Sequence, residues 1–166
     1  GPFTISSPFF NTDVPVYPYD PLAAGEMLNE IGFVDSDGDG LRDLNGEPVK
    51  LKMVLSKGMS EDNKVVCAGF VQQLKAKQID VTVDWYGQRV WNEKVFMEHD
   101  YDIAFVSWKF DDGTNIYPLF SKTEQSPGPY NIVQYENDEI QEFLERFRES
   151  EDITERTEIG KRLHAL

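Results

Sequence analysis

Asp35, Asp37, Asp39, Gly40 and Asp43 stand in the spacing D-x-D-x-D-G-x-x-D, a grouping able to hold a cation. Short loops wrap Ca²⁺ with carboxylates at positions one, three and five, a glycine at six and a backbone carbonyl at seven, here that of Leu41. The twelfth position is Gly46, not the bidentate glutamate, although Glu47 is adjacent, and a strand follows where an EF-hand would continue as a helix. Two readings stand: a structural Ca²⁺ loop built from Asp35, Asp37, Asp39, Leu41 and Asp43, or a solvated acidic approach to a hairpin.

The other reactive side chains form no set. Cys67 is the sole cysteine and lies in the apolar run Val65-Val66-Cys67-Ala68, so it reads as a buried structural thiol with no partner base. His99 and His164 are far apart and fall beside elements expected to be solvated, which argues against paired metal ligation. Carboxylates are plentiful, so a two-carboxylate hydrolase is the enzyme class to weigh, but no pair is singled out by spacing. The reading is of a protein that is not an enzyme. The 166 residues carry 30 acidic and 16 basic side chains, a net charge of −14. That balance repels phosphate backbones and anionic membranes, excludes nucleic acid as a partner, and suits a cation or a ligand with a positive amine.

Hydrophobic residues make up 40% and aromatics 13%, enough for a folded core in a single domain over 1–166. Residues 1–21 hold five prolines among aromatics and predict an extended, surface-draped segment. Asp20-Pro21 marks a helix start through Leu22, Ala24, Met27, Leu28 and Ile31, closed by Gly32. Residues 49–55 read as a strand; Ser60 then caps a helix carrying Val65, Val66, Phe70, Val71 and Leu74. Ile79, Val81, Val83 and Trp85 line one face of a second strand, and Arg89 to Met97 forms a short amphipathic helix. Residues 101–108 are apolar on both faces, as a central strand would be. Trp85 and Trp91 are expected in the core. After a loop with one turn near Tyr117–Phe120, Asn137 caps a helix bearing Ile140, Phe143, Leu144 and Phe147, and a last helix begins near Asp152 and carries Ile159 and Leu163. This alternation predicts an α/β fold, with a mixed sheet of crossover-connected strands under flanking helices.

Tyr19-Asp20-Pro21-Leu22-Ala23-Ala24-Gly25-Glu26-Met27-Leu28, followed by Gly32-Phe33-Val34-Asp35-Ser36-Asp37-Gly38-Asp39-Gly40, resembles the "YDP-x-x-A-x-x-LL … GF-x-D-x-DGDG" stretch of extracellular solute-binding proteins of the dipeptide/oligopeptide ABC-transporter class. Gly46-Glu47-Pro48-Val49-Lys50-Leu51 is similar to that family's "G-x-P-x-x-L". Gln72-Gln73-Leu74-Lys75 with Ile79-Asp80-Val81 resembles "QQL-x-x-x-GI-x-V", with Gln78 where glycine is usual. Tyr101-Asp102 before Trp108, Asn131 with Tyr135 and Asn137, and Asp152 with Arg156 complete an ordered series along the chain.

The resemblance implies one lobe of a two-lobed periplasmic-binding-protein-like fold, specifically most of the second lobe, without the first lobe and the strands returning to it. It further implies the substrate-binding component of an ABC importer, outside the cytoplasmic membrane in a periplasm or as a cell-surface lipoprotein. Its partners would be a peptide or related small solute and, through the intact receptor, a membrane permease. The alternative is a free-standing, calcium-stabilised interaction module. By the resemblance, Asp111, with Asp112 beside it, is the carboxylate that meets a ligand's α-ammonium group, and Trp108 forms the adjacent wall; otherwise these are a loop carboxylate and a core tryptophan. Peptide-binding relatives commonly continue with an acidic residue and proline where this chain has Thr114-Asn115, so sugars, metal chelates or haem are open ligand classes.

Overall fold

The computed structural model describes residues 2–108, 115–122 and 130–166. The chain packs as two compact units, one drawn from residues 1–17 and 108–166, the other from Pro18–Ser107.

The Pro18–Ser107 unit is built on a parallel sheet of order β5-β4-β6, from β4 (Lys50–Ser56), β5 (Asp80–Tyr86) and β6 (Ile103–Ala104). The three strands expected to share a sheet do so. β4 lies in the middle: Leu51 is opposite Val81, and Met53 is opposite both Val83 and Ile103. Its second half is covered on both faces, leaving Met53, Val54 and Leu55 at 2%, 0% and 1% exposure. The run 101–108 is not the central strand its composition suggests. Only Ile103 and Ala104 join the ladder, at an edge, and the apolar pattern reflects Ile103 and Phe105 packing against the core from that edge. Asp102 extends the pairing with a side chain: its Oδ2 accepts from Lys52 N–H at 2.7 Å.

Helix α2 (Glu61–Ala76) starts where Ser60 accepts from Asn63 N–H, and it buries Cys67 at 1% exposure. Val71 and Leu74 pack inward, whereas Val65, Val66 and Phe70 face outward, so the expected apolar stripe is only half used. Helix α1 (Pro21–Glu30) has the expected Asp20 cap, bonded to Leu22 and Ala23 N–H, and Gly32 follows its end at a φ of +80°. Of its expected inner face only Leu28 reaches the core; Leu22, Met27 and Ile31 are exposed. A separate antiparallel sheet joins β1 (Phe33–Val34), β2 (Asp43–Leu44) and β3 (Glu47–Pro48). Asn45-Gly46, both at positive φ, makes the two-residue turn between β2 and β3.

Helix α3 (Gln88–Asn92) widens into a π-helical turn over Glu93–Glu98, burying Trp91 and Val95, and His99 closes it in the left-handed region at a φ of 51°. The turn is moored to the sheet by charge. Lys94 bridges Glu98 and Asp100 at 2.7 Å each, and Asp100 reaches Lys52 at 2.7 Å. Hydrogen bonds from Lys52 and Lys94 pull the Asp100 carboxyl down to about 2, and those from Asp100 and Glu98 push Lys94 up. Trp85, expected in the core, sits near the end of β5 and is 38% exposed.

The other unit contains α4 (Tyr117–Phe120), α5 (Asp138–Glu149) and α6 (Ile153–Ala165). Asn137 caps α5 through Ile140 N–H, and Asp152 caps α6 through Thr154 and Glu155 N–H, bonds that hold the Asp152 carboxyl below its ordinary value. Ile140, Leu144, Phe147, Ile159 and Leu163 form the core with Ile116. The N-terminal segment lies largely exposed, as expected, but two of its rings are pinned into the core. Phe3 and Phe9 are 5% and 6% exposed, with the Phe9 and Phe147 rings edge-to-face at 4.9 Å. His164 is likewise buried instead of solvated, accepting from Phe3 N–H through Nδ1 at 3.3 Å; burial lowers its pKa.

Gly160 is where Phe9 meets α6: a Cβ there would lie 2.8 Å from the Phe9 side chain, including its Cβ. Alanine normally adds helix propensity of about 1 kcal/mol, but overpacking costs about 1–3 kcal/mol and a Cβ cannot swing aside. Gly160→Ala is therefore expected to lose stability in urea unfolding. A variant as stable as wild type would refute this close approach.

Candidate functional site

In the acidic loop, the sequence folds its carboxylates inward by local hydrogen bonding. Asp35 accepts from Gly38 and Gly40 N–H at 2.7 and 3.0 Å, Asp37 from Asp39 N–H at 3.0 Å, and Asp39 from Leu41 N–H at 2.8 Å. Gly38 and Gly40, at φ of +82° and +91°, permit these turns. The result gathers one oxygen each from Asp35, Asp37 and Asp39 within 4.8 Å of one another. Asp43 is employed elsewhere: 4% exposed, its Oδ2 accepts from Ser36 N–H and Oγ–H at 3.0 and 2.5 Å, tying the loop's two arms together. Leu41 is at the surface, 39% exposed.

Arg42 is a residue that sequence reasoning missed. It is 8% exposed, and its guanidinium donates to Lys77 O at 2.7 Å, to Asn29 Oδ1 at 2.8 Å and to Phe33 O. Its own N–H donates to Gln78 O, and Gln78 occupies the left-handed region at a φ of 62°. Arg42 thus joins the ends of α1 and α2 to the small sheet that carries the acidic loop. The available signal was the one basic residue from Asp35 to Glu47, where every other charged side chain is acidic.

The parallel sheet has a chemically distinct end. The chain passes from β4 to β5 on one side and then to β6 on the other, so β4 marks the switch in strand order. In open α/β sheets, ligands bind beyond the carboxyl ends of strands at such a point. There Ser56 donates from Oγ to Gln88 Oε1 at 2.9 Å and accepts from Gly58 N–H at 3.1 Å, while Lys57 N–H donates to Tyr86 O at 2.8 Å. The loop is fixed and the Lys57 side chain exposed.

Asp111 and Asp112, the carboxylates assigned to the ligand's ammonium group, lie outside the described residues. Trp108 is 37% exposed, and its ring packs edge-to-face on Tyr130 at 5.3 Å and 65°. Tyr130, 47% exposed, was not foreseen; an aromatic immediately before Asn131 was the sequence clue. Asn131, 1% exposed, accepts from Tyr135 N–H at 3.1 Å and donates to Tyr135 O at 2.8 Å, fixing the turn that follows Tyr130.

Residues 1–128 match the family described as bacterial extracellular solute-binding proteins, family 5, middle region. Among curated proteins, the oligopeptide-binding protein AppA of Bacillus subtilis is 27% identical over 154 residues, covering 90% of this chain and 27% of AppA. The glutathione-binding protein GsiB of Escherichia coli K12 is 24% identical over 148 residues, covering 87% of this chain and 27% of GsiB. Among solved structures, AppA of B. subtilis in complex with a nonapeptide superposes with a TM-score of 0.80 at 21% identity, over 95% of this chain and 31% of that one. The chain spans about a quarter to a third of the relatives it matches. With the family matched over most of its length and the α/β fold shared, the chain belongs to family 5 of the bacterial extracellular solute-binding proteins.

Proposed function

We propose that this chain is most of the second lobe of a receptor that captures peptides, or a related small solute, outside the cytoplasmic membrane and delivers them to the permease of an ABC importer. The observation that carries this is the family match together with likeness to AppA, an oligopeptide-binding protein whose solved structure holds a nonapeptide. The same comparisons favour the receptor over a free-standing interaction module. Two features support it physically: the fixed loop Ser56–Ser60 at the carboxyl end of the parallel sheet, and the half-exposed Trp108. The receptor binds and releases, with no reaction on the ligand. Calorimetry of the intact receptor against a peptide library tests this, with mass analysis of the released ligand. Failure to bind any peptide would remove the peptide reading and point to another solute class, as Thr114-Asn115 suggests; a released ligand of altered mass would remove the non-enzymatic one.

The loop Asp35–Leu41 is proposed to hold Ca²⁺ as a structural ion, because three gathered carboxylates repel one another until a cation neutralises them. Ca²⁺ added to metal-free protein should raise the melting temperature, and Asp37→Ala should abolish the rise. A titration with no heat and no melting shift would retire the site.

A further inference from the structure

We propose that His164 is an acid-sensitive clasp: protonation of its imidazole detaches the N-terminal segment from α6 and opens the apolar cavity that this segment helps to wall. The device is independent of which solute the receptor binds.

His164 is 6% exposed, and its contacts require the neutral imidazole. Nδ1 accepts from Phe3 N–H at 3.3 Å, so a proton added at Nδ1 would meet a donor instead of an acceptor. The imidazole also lies against two rings of the same segment, stacked on Phe3 at 6.1 Å and tilted against Phe10 at 4.7 Å. Charge offers an imidazolium no relief. Residues 2–10 hold no charged side chain, and among the described residues no carboxylate pairs with His164. On α6, Lys161 and Arg162 are exposed, Arg162 being paired with Glu139 of α5, and the Arg156 guanidinium lies over the Phe9 and Phe147 rings at 5.9 and 5.0 Å. Ring faces attract cations, but a buried charge that also breaks its hydrogen bond loses more than that attraction returns. Burial accordingly holds the imidazole below its ordinary pKa, with the amino-terminal charge adding a smaller push in the same direction. A base whose pKa is lower folded than unfolded gives stability that is full above the ordinary value and drains as pH falls below it, here below about 6.5. The segment also has something to uncover. Its Pro2 and Val14, with His164, wall an apolar cavity of about 490 Å³ whose other walls include Ile116, Tyr135 and Leu163.

Hydrogen exchange of the intact receptor at about pH 7.5 and about pH 5, corrected for intrinsic rates, tests the clasp. Protection over residues 3–10 should fall by about 3- to 30-fold at the lower pH, the upper bound being set by an ordinary imidazole pKa of about 6.5. Helix α2, in the other unit, should keep its protection. The Asp152 and Glu155 carboxylates of α6 do not imitate the effect: both are held below their ordinary values, so their contribution is lost only below about pH 4. His164→Gln keeps an acceptor but does not charge in this range, and its protection should be the same at both pH values. Anilinonaphthalene sulfonate, a dye for exposed apolar surface, should gain fluorescence at the lower pH with wild type and not with His164→Gln. Unchanged wild-type protection, an equal fall in α2, a fall that survives His164→Gln, or no gain in wild-type dye fluorescence overturns the clasp. The wild-type comparison of residues 3–10 with α2 decides even where His164→Gln does not fold.

Discussion

Arg42→Met should cost the Pro18–Ser107 unit about 1–3 kcal/mol of folding stability, because it leaves half-buried carbonyls without the donor that Arg42 now supplies. Lys77 O and Phe33 O each lose a charge-assisted donor, and Asn29 loses its partner. Replacing a buried ion pair with apolar residues is often harmless, since both charges leave together. Here the partners are neutral carbonyls and an amide that stay behind, so the desolvation penalty wins. Arg42→Lys should fall between wild type and methionine, as one ammonium cannot reproduce a planar fork spanning three acceptors. Urea unfolding of the three proteins is the measurement; a loss below about 1 kcal/mol for Arg42→Met would show that water replaces the guanidinium without penalty.

Asp111→Ala should weaken peptide binding by the closed, intact receptor by about 2–5 kcal/mol, the size expected for truncating one partner of a desolvated, hydrogen-bonded charge pair. The basis is positional. Asp111 follows Trp108 by three residues, where the family resemblance places the carboxylate for an α-ammonium group. Asp112→Ala should change affinity by less than about 1 kcal/mol, the scale of an exposed charge. The second lobe alone should bind weakly or not at all, since closure supplies the water exclusion that strengthens the pair. Equal binding by wild type and Asp111→Ala would show that the register is wrong.

What could be read in the sequence was whatever is decided within a few residues. Asp20, Ser60, Asn137 and Asp152 cap the helices they were expected to cap, because a short acceptor side chain reaches N–H groups two or three positions on. The strand–helix alternation placed the three crossover-connected strands in one sheet, though that sheet is parallel where a mixed one was expected. The misjudged features depend on partners far along the chain. Phe3 and Phe9 looked like a loose proline-rich lead because their pocket is supplied by α5 and α6. His164 looked solvated because its partner, Phe3, is 161 residues away. β6 looked central because an apolar run says that a segment is covered, not what covers it. At the candidate site, Asp35, Asp37 and Asp39 are brought together as their spacing implied, whereas Asp43 is diverted to Ser36 by the hairpin. Arg42 and Tyr130 owe their roles to tertiary neighbours that no local pattern announces.

The segregation of Pro18–Ser107 from residues 1–17 and 108–166 has a consequence for the order of assembly. One unit is continuous and meets its partners locally; the other must bring Phe3 to His164 across the whole intervening length. Closing so long a flexible loop costs about (3/2)RT ln n, on the order of 4–5 kcal/mol before any contact repays it. A continuous unit that has already collapsed replaces ninety loose residues by one compact body and shortens the effective loop. The continuous unit is thus placed to form first, and during synthesis it emerges while α5 and α6 are still unmade. Until they appear, Phe3 and Phe9 lack the pocket that α5 and α6 supply, and the two apolar rings wait for helices made much later than themselves.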